Sequence, residues 1–375
     1  MKLIDNIVRF IVGGLFIFSG LVKLNDPVGT EIKLEEYFDV FSTDFGSFFE
    51  IFIPYALPIG LFLVVLEIVL GVAVLINYKV KTTIWILLVM IIYFTFLTGY
   101  SAILNKVTDC GCFGDAIPLT PWQSFYKDLI LVVLIGYLFM RKHTFEPLLR
   151  TRVGHFSVGV ITIVSFFVGI YAINHLPYID FRDYEIGNNL PALMQPSEEL
   201  KYGKQVYTYT NKVTGEDESF EKWDNKYSDT TTYKYKSYER PLLNPEALPK
   251  ITDYSVIGTD GQNVTQETFN GAKLLLVIND VTLARTKYMT EINALVEEVR
   301  SVADPIVLTA SGEEAFEAFR HEYQLAVPYY FTDATVLKAM VRANPGILVL
   351  KNGTVLGKWH NNDVPSAEQV ISLLQ

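Results

Sequence analysis

Apolar residues fill the first half of the chain in long, nearly unbroken runs. Five stand out, at about 8–24, 51–76, 83–104, 124–140 and 156–176. A hydrocarbon core ~30 Å thick takes ~20 helical residues to cross, so runs of this length predict membrane-spanning helices. The fourth is the shortest and carries Lys127 and Asp128 near its start. Beyond about residue 177 the pattern changes to a polar, Tyr-rich stretch. Within it, 201–209 and 230–238 alternate as solvated strands do. Pro241, Pro245 and Pro249 then mark a linker.

From about 251 the pattern is that of a mixed α/β unit. Tyr254 to Ile257 followed by Asp260-Gly261 read as a strand and turn. The run 273–278 (KLLLVI) and 306–310 read as buried strands. Met289, Ile292, Leu295, Val296 and Val299 recur at helical spacing, and Phe316, Phe319 and Tyr323 share one face of a helix over 313–325. A strand at 327–331 and a short helix at 334–341 follow. Asn352-Gly353, flanked by 346–350 and 354–359, is the strongest short hairpin signal, and 367–374 closes the chain as a helix. This βαβαβαββα order predicts an α/β sandwich on a mixed sheet.

Composition agrees with that division. Half of the 375 residues are hydrophobic and only 19% are charged, too apolar for an ordinary soluble protein. The net charge of −10 resides mostly in the second half and gives no reason to expect nucleic acid as a partner. Lys2 and Arg9 precede the first run, but no small-x-small cleavage site follows it, which predicts a retained helix. Positive residues mark the cytoplasmic side. Lys2, Arg9, Lys79, Lys81, Arg141, Lys142, Arg150 and Arg152 all fall on one side if the N-terminus is inside. The loop after the first helix is acidic, with Asp26, Glu31, Glu35, Glu36, Asp39 and Asp44, and Lys23 at that end is expected to snorkel. Asn25-Asp26-Pro27 is expected to end the helix and start that loop. This orientation predicts a multi-pass protein of a bacterial inner membrane, with everything after Pro177 in the periplasm.

Two sites of candidate chemistry stand out. The only cysteines, Cys110 and Cys112, sit one residue apart in Asp109-Cys110-Gly111-Cys112-Phe113-Gly114-Asp115, on the same outer side. A disulfide there would close almost no loop, so it would add little stability, and redox chemistry suits the pair better than a structural staple. Gly111 gives the backbone freedom that a small, strained ring needs, and strained disulfides are the labile ones. Asp109 and Asp115 oppose this by disfavouring a thiolate. The alternatives are a small structural closure or free thiols. A metal site is not expected, since two thiolates need further ligands and no His is near. Glu67, midway along the second apolar run, is the other candidate. A carboxylate inside a membrane is costly, and is either functional or clipped to a neighbouring helix in protonated form.

SGLVKLNDPVG at the end of the first helix, the Glu in the second and the CGCFG cluster after the third resemble the DoxX-like/MauE group over about residues 1–140. Those proteins are four-helix membrane bundles distantly related in architecture to vitamin K epoxide reductase. The resemblance implies that Cys110 and Cys112 are a redox pair, supported by Gly111, Phe113, Gly114 and Glu67. It also implies a role in periplasmic disulfide formation or protein maturation. By analogy with related four-helix enzymes, electrons would pass to a membrane quinone. The order of the last 125 or so residues, with Asn344-Pro345 just before the hairpin, resembles a thioredoxin-like domain of the TlpA type. Asn344-Pro345 matches the family's cis-proline, but Ala284 and Lys287 fall where its two cysteines belong, so this domain cannot exchange dithiols.

The expected organisation is an α-helical membrane bundle followed by an α/β thioredoxin-like domain. In residues, it is a DoxX/MauE-like four-helix bundle over 1–140, then a cytoplasmic loop and fifth transmembrane helix over 141–176. An extracytoplasmic Tyr-rich polar region and linker over 177–250 leads to a thioredoxin-like domain without redox cysteines over 251–375. The function expected first is a membrane thiol-disulfide oxidoreductase or maturation factor acting on a periplasmic protein, with Asn344 and Pro345 as a candidate groove for that partner. The alternative is a non-enzymatic envelope scaffold anchored in the lipid bilayer.

Overall fold

A computed structural model describes residues 2–107, 111–221 and 225–375, the side chain of Lys226 excepted. Five of its helices are long and apolar enough to cross a membrane, at Lys2–Asn25, Ser47–Leu75, Val80–Leu104, Pro121–Arg141 and Thr151–Asn174. The chain is a multi-pass membrane protein. The spans agree with the five apolar runs, and each begins three to six residues earlier than expected. In the fourth, Pro121 occupies the first turn and Thr120 closes a capping box with Gln123.

Helix α1 (Lys2–Asn25) is followed at once by α2 (Pro27–Phe45). This corrects the acidic loop expected there. Asp26 ends one helix and caps the next, its Oδ1 accepting from the Gly29 amide at 2.9 Å, with Pro27 in the first turn. Leu34, Tyr37, Phe38 and Phe41 form the buried face of α2, while its acidic residues stay half-exposed or exposed. Short apolar runs interrupted by charge hid a helix that lies on the bundle instead of spanning it.

The bundle is completed by α3 (Ala56–Leu75), α4 (Val80–Leu104), α5 (Pro121–Arg141) and α6 (Thr151–Asn174). Helices α1 and α3 cross closely because small residues meet there. A Cβ on Gly71 would come 2.7 Å from Ile17 and 2.8 Å from the Gly13 carbonyl. A Cβ on Gly20 would come 2.5 Å from Ile68. At the end of the bundle that carries the N-terminus, Asp5 accepts from Arg141 Nη2 at 3.0 Å and from the Tyr137 hydroxyl at 2.6 Å, tying α1 to α5.

After the short α7 (Leu190–Leu193), the polar region forms a three-stranded antiparallel sheet, β2-β1-β3, from β1 (Val206–Asn211), β2 (Asp217–Phe220) and β3 (Tyr233–Glu239). Its tyrosines stack on one another: Tyr207 and Tyr209 pack on Phe220, and Phe220 lies 3.7 Å from Tyr227 in a parallel stack.

The final unit contains β4 (Ala272–Ile278), α8 (Met289–Val299), β5 (Asp304–Thr309), α9 (Glu313–Glu322), β6 (Tyr329–Phe331) and α10 (Ala334–Met340). It ends in β7 (Gly346–Lys351), β8 (Thr354–His360) and α11 (Ala367–Leu374). The sheet order is β6-β5-β4-β7-β8. β4 pairs in parallel with β5 and antiparallel with β7, a mixed sheet with the thioredoxin-like arrangement. Leu274 to Ile278 are fully buried because β4 is covered on both faces. Leu275 and Val277 join one core layer, and Leu274, Leu276 and Ile278 the other. Asn352 and Gly353 both take positive φ in the two-residue β7–β8 turn. The strand expected at 254–257 is absent. Only Ile257 forms bridges, to Asn263 and Phe331, while Tyr254 and Val256 point into the core.

Candidate functional site

The segment between α4 and α5 returns the chain to the bundle end on which the α/β domain sits. Cys110 lies outside the described residues, as does Asp109. Cys112 is half-buried, and among the described residues it forms no disulfide. Gly111 and Gly114 both take left-handed backbone (φ +60° and +51°), which explains the two glycines of the motif. Phe113 anchors the loop by packing edge-on against Phe18, with ring centroids 5.4 Å apart.

Cys112 faces a cavity of about 130 Å³ whose apolar walls include Leu63, Val64, Phe94 and Leu97. Two lysine–carboxylate pairs line it as well. Lys23 Nζ lies 2.6 Å from Glu67 Oε1, and Lys127 Nζ lies 2.6 Å from Asp128 Oδ1. Lys23 does not snorkel as expected. Its side chain is only 11% exposed, because Glu67 and the face of Phe94, 5.0 Å away, hold it inside. Asp128 accepts a second hydrogen bond from Thr98 at 3.0 Å, which binds α4 to α5 at this level. The Ser19 hydroxyl stands 2.9 Å from both Glu67 Oε2 and the carbonyl of Cys112, so one proton links the intramembrane acid to the cysteine loop.

The structure thus brings Glu67 into the same cavity as Cys112, paired to an ammonium rather than to a neutral helix neighbour. Sequence reasoning missed Ser19, Lys23, Lys127 and Asp128 as site residues. The signal was present: two lysines and a second acid inside apolar runs, each as costly there as Glu67. Burial pushes the Cys112 thiol up, as does Asp128, while the Lys127 and Lys23 ammonium groups pull it back. A thiolate formed at Cys112 would find its cationic partners, Lys127 and Lys23, within the cavity.

The α/β domain caps the bundle at the end where Cys112 lies. Arg342, in the loop between α10 and β7, places Nε 2.8 Å from Asp26 Oδ2 and Nη2 3.1 Å from Asp115 Oδ2. Asp115 therefore pairs with an arginine rather than burdening the thiol as expected. Gly29 makes room for this contact, since a Cβ there would come 2.7 Å from Asp26 Oδ2. A second anchor forms around Asp180, which lies 2.7 Å from Arg182 Nε and 2.6 Å from Lys358 Nζ. Burial pushes Lys358 down to about 8, with Arg182 acting the same way and Asp180 opposing.

Asn344-Pro345 is cis and follows Arg342 in the same loop. Asn344 Nδ2 donates to the Asp280 carbonyl at 2.7 Å, and the Arg285 amide donates to the Asn344 carbonyl at 2.8 Å. The segment 280–288, where a thioredoxin would carry its thiols, is tied to the proline loop but presents Ala284 and Lys287.

Residues 1–141 match the family described as methylamine utilisation protein MauE. The chain is also 32% identical over 140 residues to protein TlpB of Flavobacterium psychrophilum, a match covering 35% of each chain. The match thus spans about a third of the length of that curated relative. The MauE likeness falls on the part of the chain that builds the cavity and holds the cysteine motif.

Proposed function

We propose that this chain is a membrane thiol-disulfide oxidoreductase serving the maturation of a partner protein on the α/β-domain side. One observation carries the reading: Cys112 opens into a cavity walled by apolar helices and lined by two lysine–carboxylate pairs. In the reaction, a partner dithiol attacks the Cys110–Cys112 disulfide and forms a mixed disulfide, releasing one thiolate of the pair. The second partner thiol displaces the other. The partner gains a disulfide and the pair becomes two thiols. Lys127 and Lys23 stabilise the thiolate released at Cys112.

Restoring the pair requires an acceptor of two electrons and two protons, which a membrane quinone supplies. The residues fit that group. Phe94, Leu63 and Val64 offer an apolar wall, and Lys23 and Lys127 offer donors for carbonyl oxygens. Orientation is supported by the lysines and arginines at the N-terminus and in the α3–α4 and α5–α6 connections, which favour a cytoplasmic placement of that end. The α/β domain then lies in the periplasm and the bundle in the inner membrane, where a disulfide persists.

The test is thiol trapping of the full chain in native membranes. Cys112→Ala or Cys110→Ala should accumulate a mixed disulfide with a partner protein. If both cysteines stay reduced in an oxidising envelope, the reading fails. The absence of thiols at Ala284 and Lys287 favours a second reading, a scaffold whose α/β domain holds a partner without exchanging with it. A stoichiometric partner that co-purifies after both cysteines are replaced would establish that reading instead.

A further inference from the structure

Arg342 separates two cavities. On one side is the cavity that Cys112 faces. On the other is a second, of about 180 Å³, between α2 and the proline loop. Arg342 and Ile32 line both. The second cavity has a different character. Glu31 and Glu35 come from α2, Arg285 and Lys338 come from the α/β domain, and Val28 and Leu283 lie among them. Leu283 is 72% exposed at its rim. Charges of both signs, with Lys338 3.5 Å from Glu35, stand beside apolar side chains in its wall, which suits an extended polypeptide better than a lipid-soluble molecule. Asn344, next to the cis-proline, forms part of its wall.

The partition itself is a side chain, not backbone. The Arg342 side chain is 9% exposed, and its two carboxylate partners come from the membrane half, Asp26 between α1 and α2 and Asp115 in the cysteine loop. Only Phe113 and Gly114 separate Asp115 from Cys112, so moving the guanidinium off Asp115 uncovers the loop that holds the thiol.

We propose that the cavity between α2 and the proline loop is the water-side antechamber of the Cys112 cavity, and that Arg342 is the movable partition between them. The antechamber admits an extended, thiol-bearing polypeptide segment, and the Asp26 and Asp115 carboxylates hold the partition shut in its absence. The purpose of the route rests on the exchange reaction proposed above; its existence does not.

The experiment uses the full chain in lipid nanodiscs on a Cys110→Ser background, with Cys112 reduced. Two reagents are compared: a trimethylammonium methanethiosulfonate that cannot enter lipid, and N-ethylmaleimide, which can. The readout is the ratio of their rates at Cys112, which cancels any change in the thiol's own reactivity. Val28→Trp narrows the antechamber and should lower the ratio at least fivefold. Arg342→Ala should raise it at least tenfold, and Arg342→Lys, which keeps the charge but not the two-pronged contact, should fall between. A ratio unchanged by Val28→Trp, or not raised by Arg342→Ala, overturns the proposal and places the route elsewhere, such as the wall at Pro177 and Ile179. No partner protein and no electron acceptor enter this measurement, so exchange can fail while the route stands, and the reverse.

Discussion

Lys127 and Asp128 are adjacent in the chain and paired in space at 2.6 Å, yet they do different work. Asp128 is 1% exposed and holds Thr98 of α4, whereas Lys127 reaches over the ring of Phe113 toward Cys112. Removing the lysine alone strands a buried carboxylate, at a cost of about 3–5 kcal/mol. The informative variant is Lys127→Met with Asp128→Asn, which removes both charges together. It should stay folded, and because Asp128 pushes the thiol the opposite way it is compared with Asp128→Asn alone: relative to that variant it should react more slowly at Cys112, since the strongest cation acting on a thiolate there is gone. Each unit of rise in the thiol pKa lowers the thiolate fraction about tenfold. The check is the pH profile of Cys112 alkylation, which should lie at higher pH in the double variant than in Asp128→Asn; coincident profiles would show that Lys127 does not act on the thiol. At this scale the chain announced Cys112 and Glu67 by their rarity in their surroundings. It did not announce Ser19, whose type is equally at home in helix packing, and only the 2.9 Å contacts to Glu67 and the Cys112 carbonyl separate the two roles.

Among the elements, the α1–α3 crossing makes the sharpest demand on residue size. Gly13 and Gly14 are neighbours with opposite duties. A Cβ on Gly13 would meet Leu75 at 2.6 Å, while one on Gly14 would meet nothing within 4 Å. Gly71→Ala should force the helices apart and cost about 1–3 kcal/mol as overpacking does. Gly14→Ala should be neutral or gain up to about 1 kcal/mol of helix propensity. Thermal unfolding in one detergent distinguishes them, and equal effects would refute the close crossing. Spanning helices were readable because length and unbroken apolarity suffice to predict them. Helix α2 was not, because charged residues interrupt its apolar positions and Asp26-Pro27 serves as easily to end a helix as to start one. The α/β order was legible because buried strands such as β4 and the Asn352-Gly353 turn carry strong local signals. The segment 254–257 misled because alternating burial arises wherever a chain lies along a core, with or without a ladder partner.

For the molecule as a whole, the decisive feature is the seating of one half on the other, which no local pattern encodes. Arg342, Lys338 and Lys358 meet Asp26, Glu35 and Asp180 across very long sequence separations. That seating should depend on pH through two groups in the cavity between the halves. Burial raises Glu31 to about 7, Glu35 and Asp26 push the same way, and Lys338 and Arg285 oppose. A carboxyl whose pKa is raised on docking binds its proton more tightly in the docked state. Its contribution is therefore complete below about 4.5, its ordinary value, and is lost as pH rises through about 7. His360 acts in the opposite direction. Burial lowers it to about 4, with Arg285 and His175 adding to the effect and Asp363 opposing, and its Nδ1 accepts from the Asn362 amide at 3.0 Å. It is held neutral, so its contribution is present above about 6.5 and is lost as pH falls through about 4. Seating should be firmest between these limbs, at mildly acidic pH. Glu31→Gln should abolish the neutral limb and leave the acid limb intact. The measurement is backbone hydrogen exchange of α2 and α10 in the full chain, corrected for the intrinsic pH dependence of exchange. Between pH 6.5 and 7.5, where the contribution of His360 is complete, protection in the wild type should fall and in Glu31→Gln should stay level. Parallel profiles for the two proteins would remove Glu31 from the interface energetics and leave the ion pairs of Arg342 and Asp180 as what holds the halves together.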